Sequence, residues 1–271
     1  MLKLMKYEIR RRLQIILIVL AVMALIEGLI LFGLYRGGQW LLTSFILTIL
    51  MAIGVYLFIL FDSIRTYYID LNRNEGYMLF LTPNSGYRII GSKALVSFLE
   101  LVFFVLILVS FLLINFFTAK NLLINSSMEA KEMYDAITQA FQIFTPSVGH
   151  IFLLSLTTVL QWFSIIMMAT LAITLTKTIL SNTKLSWLIS LGFFIAIYTG
   201  LQFLDMGIIS IFGFINDMSN LANTAVITEN DFPTISGIIF KYVTIMTVVY
   251  SAYISIFYLI SGRLVSKRIN I

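Results

Sequence analysis

Six long apolar segments constrain the fold of this 271-residue chain more than any other feature. The hydrocarbon core of a bilayer is about 30 Å thick, and a helix rises about 1.5 Å per residue, so roughly 20 apolar residues suffice to cross it. All six segments reach that length, and the sequence therefore predicts an all-α membrane protein with one transmembrane domain. The predicted spans are 13–35, 40–61, 89–117, 148–175, 185–204 and 235–261.

The composition agrees with this fold and excludes several kinds of chemistry. The chain is 60% hydrophobic and only 11% charged, which leaves little sequence for a soluble domain. It contains no cysteine, so disulfides, thiolate metal sites and cysteine nucleophiles are excluded. His150 is the only histidine, which also excludes histidine-rich metal sites. We therefore expect neither an enzyme nor a metalloprotein.

The positive charges are distributed unequally between alternate links. Fourteen of the eighteen Lys and Arg residues lie near the termini or the links after spans two and four. The other four are Arg36, Lys120, Lys131 and Lys241. Cytoplasmic segments of membrane proteins carry the excess of Lys and Arg. We expect both termini in the cytoplasm, an uncleaved first span and a multi-pass protein of the cell membrane, of the bacterial plasma membrane type. The net charge of +5 then reflects topology and does not indicate binding to nucleic acid.

The first twelve residues have the pattern of an amphipathic helix. Leu2, Met5 and Ile9 recur at helical spacing. Such a helix lies in the membrane interface, with apolar residues towards the acyl chains and cations towards lipid headgroups. The alternative is a basic tail that only sets the topology. The cations of the predicted interfacial helix are Lys3, Lys6, Arg10 and Arg11.

Two acidic residues fall inside predicted spans. Glu27 lies in the outer half of the first span, and Glu100 lies seven residues after Lys93 in the third. A charge in hydrocarbon costs about 3 kcal/mol on insertion scales, so such residues face partner helices or water. Glu27 and Glu100 are candidates for a transport pathway or a subunit interface. The alternative is that they are protonated or hydrogen-bonded within the bundle. Lys93 is interpreted as an interfacial anchor whose head extends to the headgroups.

The link between spans two and three is the most unusual polar segment. Span two is expected to continue as a polar helix to about Asn72. Gly76 permits a change of direction, Tyr77–Leu81 forms a short apolar helix, and Pro83 ends it. An apolar protrusion in water normally marks a partner surface. The alternative is that it folds back on the membrane.

A second short apolar segment, Met206–Ile215, precedes the sixth span. It is too short to cross a bilayer, which indicates a re-entrant or interfacial piece.

These features resemble the type-2 ABC exporter permeases. The resemblance is carried by Glu75-Gly76, the apolar run, Pro83-Asn84-Ser85 and Lys93, which are similar to the family's link between spans two and three. It implies that the link contains a coupling helix, which docks on a separate ATPase subunit that binds ATP and magnesium. It also implies a second permease copy and export of a peptide or lipid-like cargo. The implied docking residues are Glu75, Gly76, Tyr77, Met78, Leu79, Phe80, Leu81 and Pro83.

Two other functions are compatible with the sequence. One is a proton-coupled secondary carrier that uses Glu27 and Glu100, although relay chains of ionisable residues and an internal repeat are expected there. The other is a membrane scaffold or sensor that transports nothing. In all three cases membrane lipids surround the chain, and no nucleic acid is expected as a partner.

The predicted topology can be tested with single cysteines, because the natural chain has none. A membrane-impermeant maleimide should label Ser219→Cys, in the predicted external loop, in intact cells. It should label Asn270→Cys, near the C-terminus, only after the cells are permeabilised. Labelling of Asn270→Cys in intact cells would place the C-terminus outside.

Overall fold

A computed structural model describes residues 2–72, 85–123, 148–179, 185–222 and 232–267. Within these ranges the chain forms helices and no strand. Six helices are long and apolar enough to cross a membrane, which confirms the predicted all-α, multi-pass fold. The helices are α1 (Leu2–Arg36), α2 (Gln39–Asn72), α3 (Gly86–Leu123), α4 (Val148–Ile179), α5 (Ser186–Ile211), α6 (Phe214–Ala222) and α7 (Phe232–Lys267).

The helices extend beyond the predicted spans because apolar patterning marks only the part of a helix that hydrocarbon surrounds. Helix α2 continues to Asn72, as predicted from its polar end. Helix α1 runs from Leu2 to Arg36 without a break, so the first residues do not form a separate helix. That they lie in the membrane interface stays a prediction. The coupling-helix residues 75–83 lie outside the described residues.

Two short connections depend on glycine. Gly37 and Gly38 have φ values of 70° and 59° and join α1 to α2, and Gly213 has a φ of 76° between α5 and α6. Such left-handed conformations favour glycine because it has no Cβ. The segment Met206–Ile215 is not a separate piece: Met206–Ile211 completes α5, and α6 begins after the turn at Gly213. Its relation to the membrane stays a prediction.

The chain divides into two compact units, which are described separately. The first comprises the described residues of Met1–Thr66 and Gly91–Ala136, and the second those of Tyr67–Ile90 and Ile137–Ile271. Helices α2 and α3 therefore contribute residues to both units.

The first unit is built from α1, most of α2 and most of α3. Phe104 is fully buried, and its ring meets that of Phe58 edge to face at a centroid distance of 6.1 Å. The Ser44 hydroxyl donates to the Ile30 carbonyl at 3.0 Å, where Gly33 allows α1 and α2 to approach closely. Close approach at small residues is a common means of packing membrane helices.

The second unit is centred on α4, which packs against α5 and α7. Trp162, Met167 and Ala172 of α4 are almost completely buried. The end of α2 joins this unit through the Tyr67 and Thr174 hydroxyls, 2.7 Å apart. The start of α3 joins it because the Tyr258 hydroxyl donates to the Tyr87 carbonyl at 3.0 Å.

The contact between α3 and α7 in the second unit predicts a sensitive position. A Cβ at Gly262 would collide with the Tyr87 ring, whereas a Cβ at Gly207 would meet nothing within 4 Å. Gly262→Ala should therefore destabilise the fold by about 1–3 kcal/mol, through forced shifts of packed groups. We expect a clearly lower Tm for the purified protein in detergent, and an unchanged or slightly higher Tm for the control Gly207→Ala. Equal Tm values for the two variants would show that α3 and α7 do not pack this closely.

Candidate functional site

A buried charge cluster in the first unit is the main polar feature that the sequence analysis did not foresee. Arg12 of α1 is 2% exposed, and its guanidinium donates to Glu100 of α3 at 2.8 Å. The same nitrogen lies 3.4 Å from the Asp62 carboxylate of α2 and 3.5 Å from the Ser97 hydroxyl of α3. One arginine therefore bridges three helices.

A second ion pair lies one helical turn before Arg12. The Lys93 ammonium donates to the Glu8 carboxylate at 2.6 Å, and both side chains are buried. This corrects the sequence interpretation of Lys93 as an anchor that extends to the headgroups. The reason is that α1 brings a buried carboxylate to Lys93, and pairing a charge inside the protein replaces its hydration.

A third polar contact lies further along the same two helices. The Asn115 amide of α3 donates to the Glu27 carboxylate of α1 at 3.3 Å, and Glu27 is 5% exposed. Residues paired in this way are 85, 88 and 88 positions apart along the chain. The nearly constant separation means that α1 and α3 run parallel and in register. We call the pairs Glu8–Lys93, Arg12–Glu100 and Glu27–Asn115 the polar ladder.

The polar ladder includes both acids that were predicted inside spans. Both Glu27 and Glu100 are buried, and both join α1 to α3 within the first unit. This supports the alternative in which they are held by hydrogen bonds inside the bundle. A transport role for either carboxylate stays a prediction.

The ladder also has unused hydrogen-bonding capacity. Within the described ranges, four buried atoms around Arg12 make no hydrogen bond, namely Glu8 Oε2, Arg12 Nε, Asp62 Oδ2 and Glu100 Oε1. Buried polar groups are normally satisfied, so a partly satisfied network is costly to maintain.

Three other predicted site residues lie on α1. Lys6, Arg10 and Arg11 are exposed, in contrast to the buried Glu8 and Arg12. The side chain of Lys3 and the coupling-helix residues 75–83 are outside the described part of the chain.

In the second unit, the buried carboxylate of Asp205 was not among the predicted site residues, because the predicted fifth span ends at residue 204. Asp205 is 8% exposed, lies within α5 and accepts a hydrogen bond from the Tyr253 hydroxyl of α7 at 2.9 Å. Its charge interrupts the apolar run that defined the predicted span, whereas α5 continues to Ile211. Tyr242, Tyr250 and Tyr253 recur at helical spacing on α7, which is the signal that could have indicated a polar face there.

No protein-family model, curated protein or solved structure matches this chain. The similarity of residues 75–93 to the corresponding segment of exporter permeases therefore remains a resemblance of sequence pattern and span order.

Arg12 is the residue whose loss should cost most. Arg12→Ala would leave Asp62 and Glu100 buried without a cation, which costs about 3–5 kcal/mol in buried ion pairs. The matched control is Arg10→Ala, because Arg10 is exposed on the same helix, and surface changes usually stay within about 0.5 kcal/mol. Thermal unfolding in detergent measures both.

The double variant Arg12→Ala with Glu100→Gln should be more stable than Arg12→Ala alone, because it removes one uncompensated charge. If Arg12→Ala and Arg10→Ala had the same Tm, the Arg12 cluster would not hold the three helices.

Proposed function

We propose that this chain is the membrane permease subunit of an ATP-driven exporter, with ATP hydrolysis in a separate ATPase. The cargo is an amphipathic or apolar molecule, of peptide or lipid-like character, and it leaves the cytoplasm by alternating access. The observation that carries the proposal is the buried Arg12 cluster, because it ties together the helices on either side of the link 73–85.

Residues 73–85, which join α2 to α3, can transmit a force from the ATPase only if these helices are firmly connected to the rest of the chain. On the side of the first unit, α2 and α3 are held to α1 through Asp62 and Glu100, which both lie against Arg12. Ion pairs and hydrogen bonds among packed helices form the contiguous networks that carry such coupling.

The helix ends next to the link are fixed in the second unit as well. Tyr67 is 2% exposed and shares a hydrogen bond with Thr174 of α4. Tyr87 is bonded through its carbonyl to Tyr258 of α7. A push on the link would therefore reach α4 and α7 through the ends of α2 and α3, and α1 through the Arg12 cluster. This supports the link as the input point for an ATPase that grips residues 75–83.

The other partners follow from the same proposal. Six spans form half of the usual two-subunit pathway, so a second permease copy, identical or related, completes it. The exposed cations Lys6, Arg10 and Arg11 are suited to anionic headgroups at the cytoplasmic surface, where each cation contributes about 1 kcal/mol. ATP and magnesium bind the partner and not this chain.

The secondary-carrier alternative is less well supported. A proton relay needs carboxyls that exchange protons with water during transport. Glu100 is 5% exposed and bonded to Arg12 at 2.8 Å, and this arrangement favours a structural role for its charge. No specific observation favours a scaffold or sensor.

Docking of the ATPase can be tested by substitutions at Leu79 and Phe80, within the proposed docking residues. Leu79→Asp and Phe80→Asp place charges in the proposed apolar contact, and central apolar anchors are worth about 2 kcal/mol or more, roughly 30-fold in affinity. We expect the ATP hydrolysis that co-purifies with the tagged chain from native membranes to fall by at least about tenfold. Met133→Asp, in the predicted external link, is the matched control and should leave it unchanged. Equal co-purification of ATPase activity with all three variants would exclude this docking site.

A further inference from the structure

Asp205 differs from Glu8, Asp62 and Glu100 of the first unit in having no cationic partner, and in this respect it resembles Glu27, which is bonded to the Asn115 amide. Glu8 pairs with Lys93, and Asp62 and Glu100 pair with Arg12. Asp205 is equally buried, but in the described part of the chain its bonded neighbour is the Tyr253 hydroxyl alone. Lys241 of α7 is engaged with Asp217 at 3.2 Å.

One oxygen of this carboxylate is available. Oδ1 accepts the hydrogen bond from Tyr253, whereas Oδ2 has no hydrogen-bond partner among the described residues. Unlike the unpartnered oxygens of Glu27 and Glu100, Oδ2 is not fully enclosed. A carboxylate that is largely withdrawn from water, yet open at one oxygen, attracts a cation strongly because few solvent molecules screen it.

The tyrosine that bonds Asp205 is one of two neighbouring aromatic rings on α7. The rings of Tyr250 and Tyr253 lie 6.5 Å apart between centroids and are inclined at 58°, so they form two walls of a corner. The faces of tyrosine rings attract cations within about 6 Å of the ring centroid.

We propose that Asp205, Tyr250 and Tyr253 form a binding site for an alkylammonium group. The carboxylate supplies the opposite charge, and the tyrosine faces contact the alkyl groups around the nitrogen, as in aromatic cages. A hard divalent cation is a poorer match, because calcium takes about 6–8 oxygen ligands and this site offers one carboxylate. The site accepts a primary or a quaternary ammonium group. Such groups occur on lysine side chains and on lipid headgroups. The proposal does not depend on an ATPase partner and goes beyond the exporter hypothesis.

Choline and its neutral isostere 3,3-dimethylbutan-1-ol provide a direct test with the full chain purified in dodecyl maltoside. The two probes share shape and differ in the charge of the central atom. We expect choline to bind in calorimetry and to raise Tm, and the isostere to do neither at the same concentration. Equal effects of the two probes would overturn the proposal, because they would show that the site responds to shape alone.

Three substitutions test the contribution of the Asp205 charge and that of the Tyr250 ring to choline binding separately. Asp205→Asn keeps the size of the side chain and should weaken choline binding by at least about tenfold. Tyr250→Leu should weaken it by about 2–30-fold through loss of a cation–π contact, whereas Tyr250→Phe keeps the ring and should bind within about twofold of the natural chain. Unchanged choline affinity in Asp205→Asn would overturn the proposal. If that variant does not fold, the comparison of Tyr250→Leu with Tyr250→Phe decides, and equal affinity in those two would overturn it.

A third probe distinguishes a lipid headgroup from a water-soluble amine as the natural ligand. Dihexanoylphosphatidylcholine carries the choline group of the first probe together with two short acyl chains. Tighter binding of this lipid than of choline assigns the site to a lipid headgroup. Equal binding assigns it to a water-soluble amine or peptide side chain. Binding of neither molecule overturns the proposal.

Discussion

Charge burial is the constraint on which the first unit depends. Arg12, Asp62 and Glu100 lie on three different helices, and each would be costly to bury alone. Their proximity lowers that cost only when the helices have one particular register, so the ion pairs select the arrangement more than they add to stability. Apolar helix surfaces slide against each other with little penalty, since lipid and leucine are similarly apolar. The polar ladder therefore supplies the specificity that the apolar faces lack.

Hydropathy predicted the six spans because the energy of transfer into hydrocarbon is a local property of the sequence. The pairs of the ladder could not be predicted in the same way, because their members are 85 or 88 positions apart. Charges near the ends of apolar runs also have an ordinary explanation as topology signals, which is how Arg12 and Lys93 were interpreted. Asp205 was misplaced for a related reason: one charge ended the apparent run, although the helix continues to Ile211.

The two units treat buried carboxylates in different ways. In the first, Arg12 and Lys93 neutralise Glu8, Asp62 and Glu100 and so connect α1, α2 and α3, whereas Glu27 is bonded to the neutral Asn115 amide. In the second, tyrosines accompany Asp205, and the charge remains available to a molecule from outside. This contrast separates a structural role from a binding role. It also indicates why composition alone could not distinguish the acids: Glu27, Glu100 and Asp205 are all isolated carboxylates within apolar sequence.

The parallel register of α1 and α3 has a consequence for biosynthesis. When α1 leaves the ribosome, Glu8 and Arg12 have no partners, because Lys93 and Glu100 are about 85 residues from being made. During that interval Glu8 lacks the cation that it pairs with in the fold, whereas Arg12 can meet Asp62 as soon as α2 has been made. The pairs that set the register of α1 against α3 can form only after Lys93 and Glu100 have been added. The amino-terminal helix is thus the first to be synthesised, and its contacts with α3 are among the last of its unit to form.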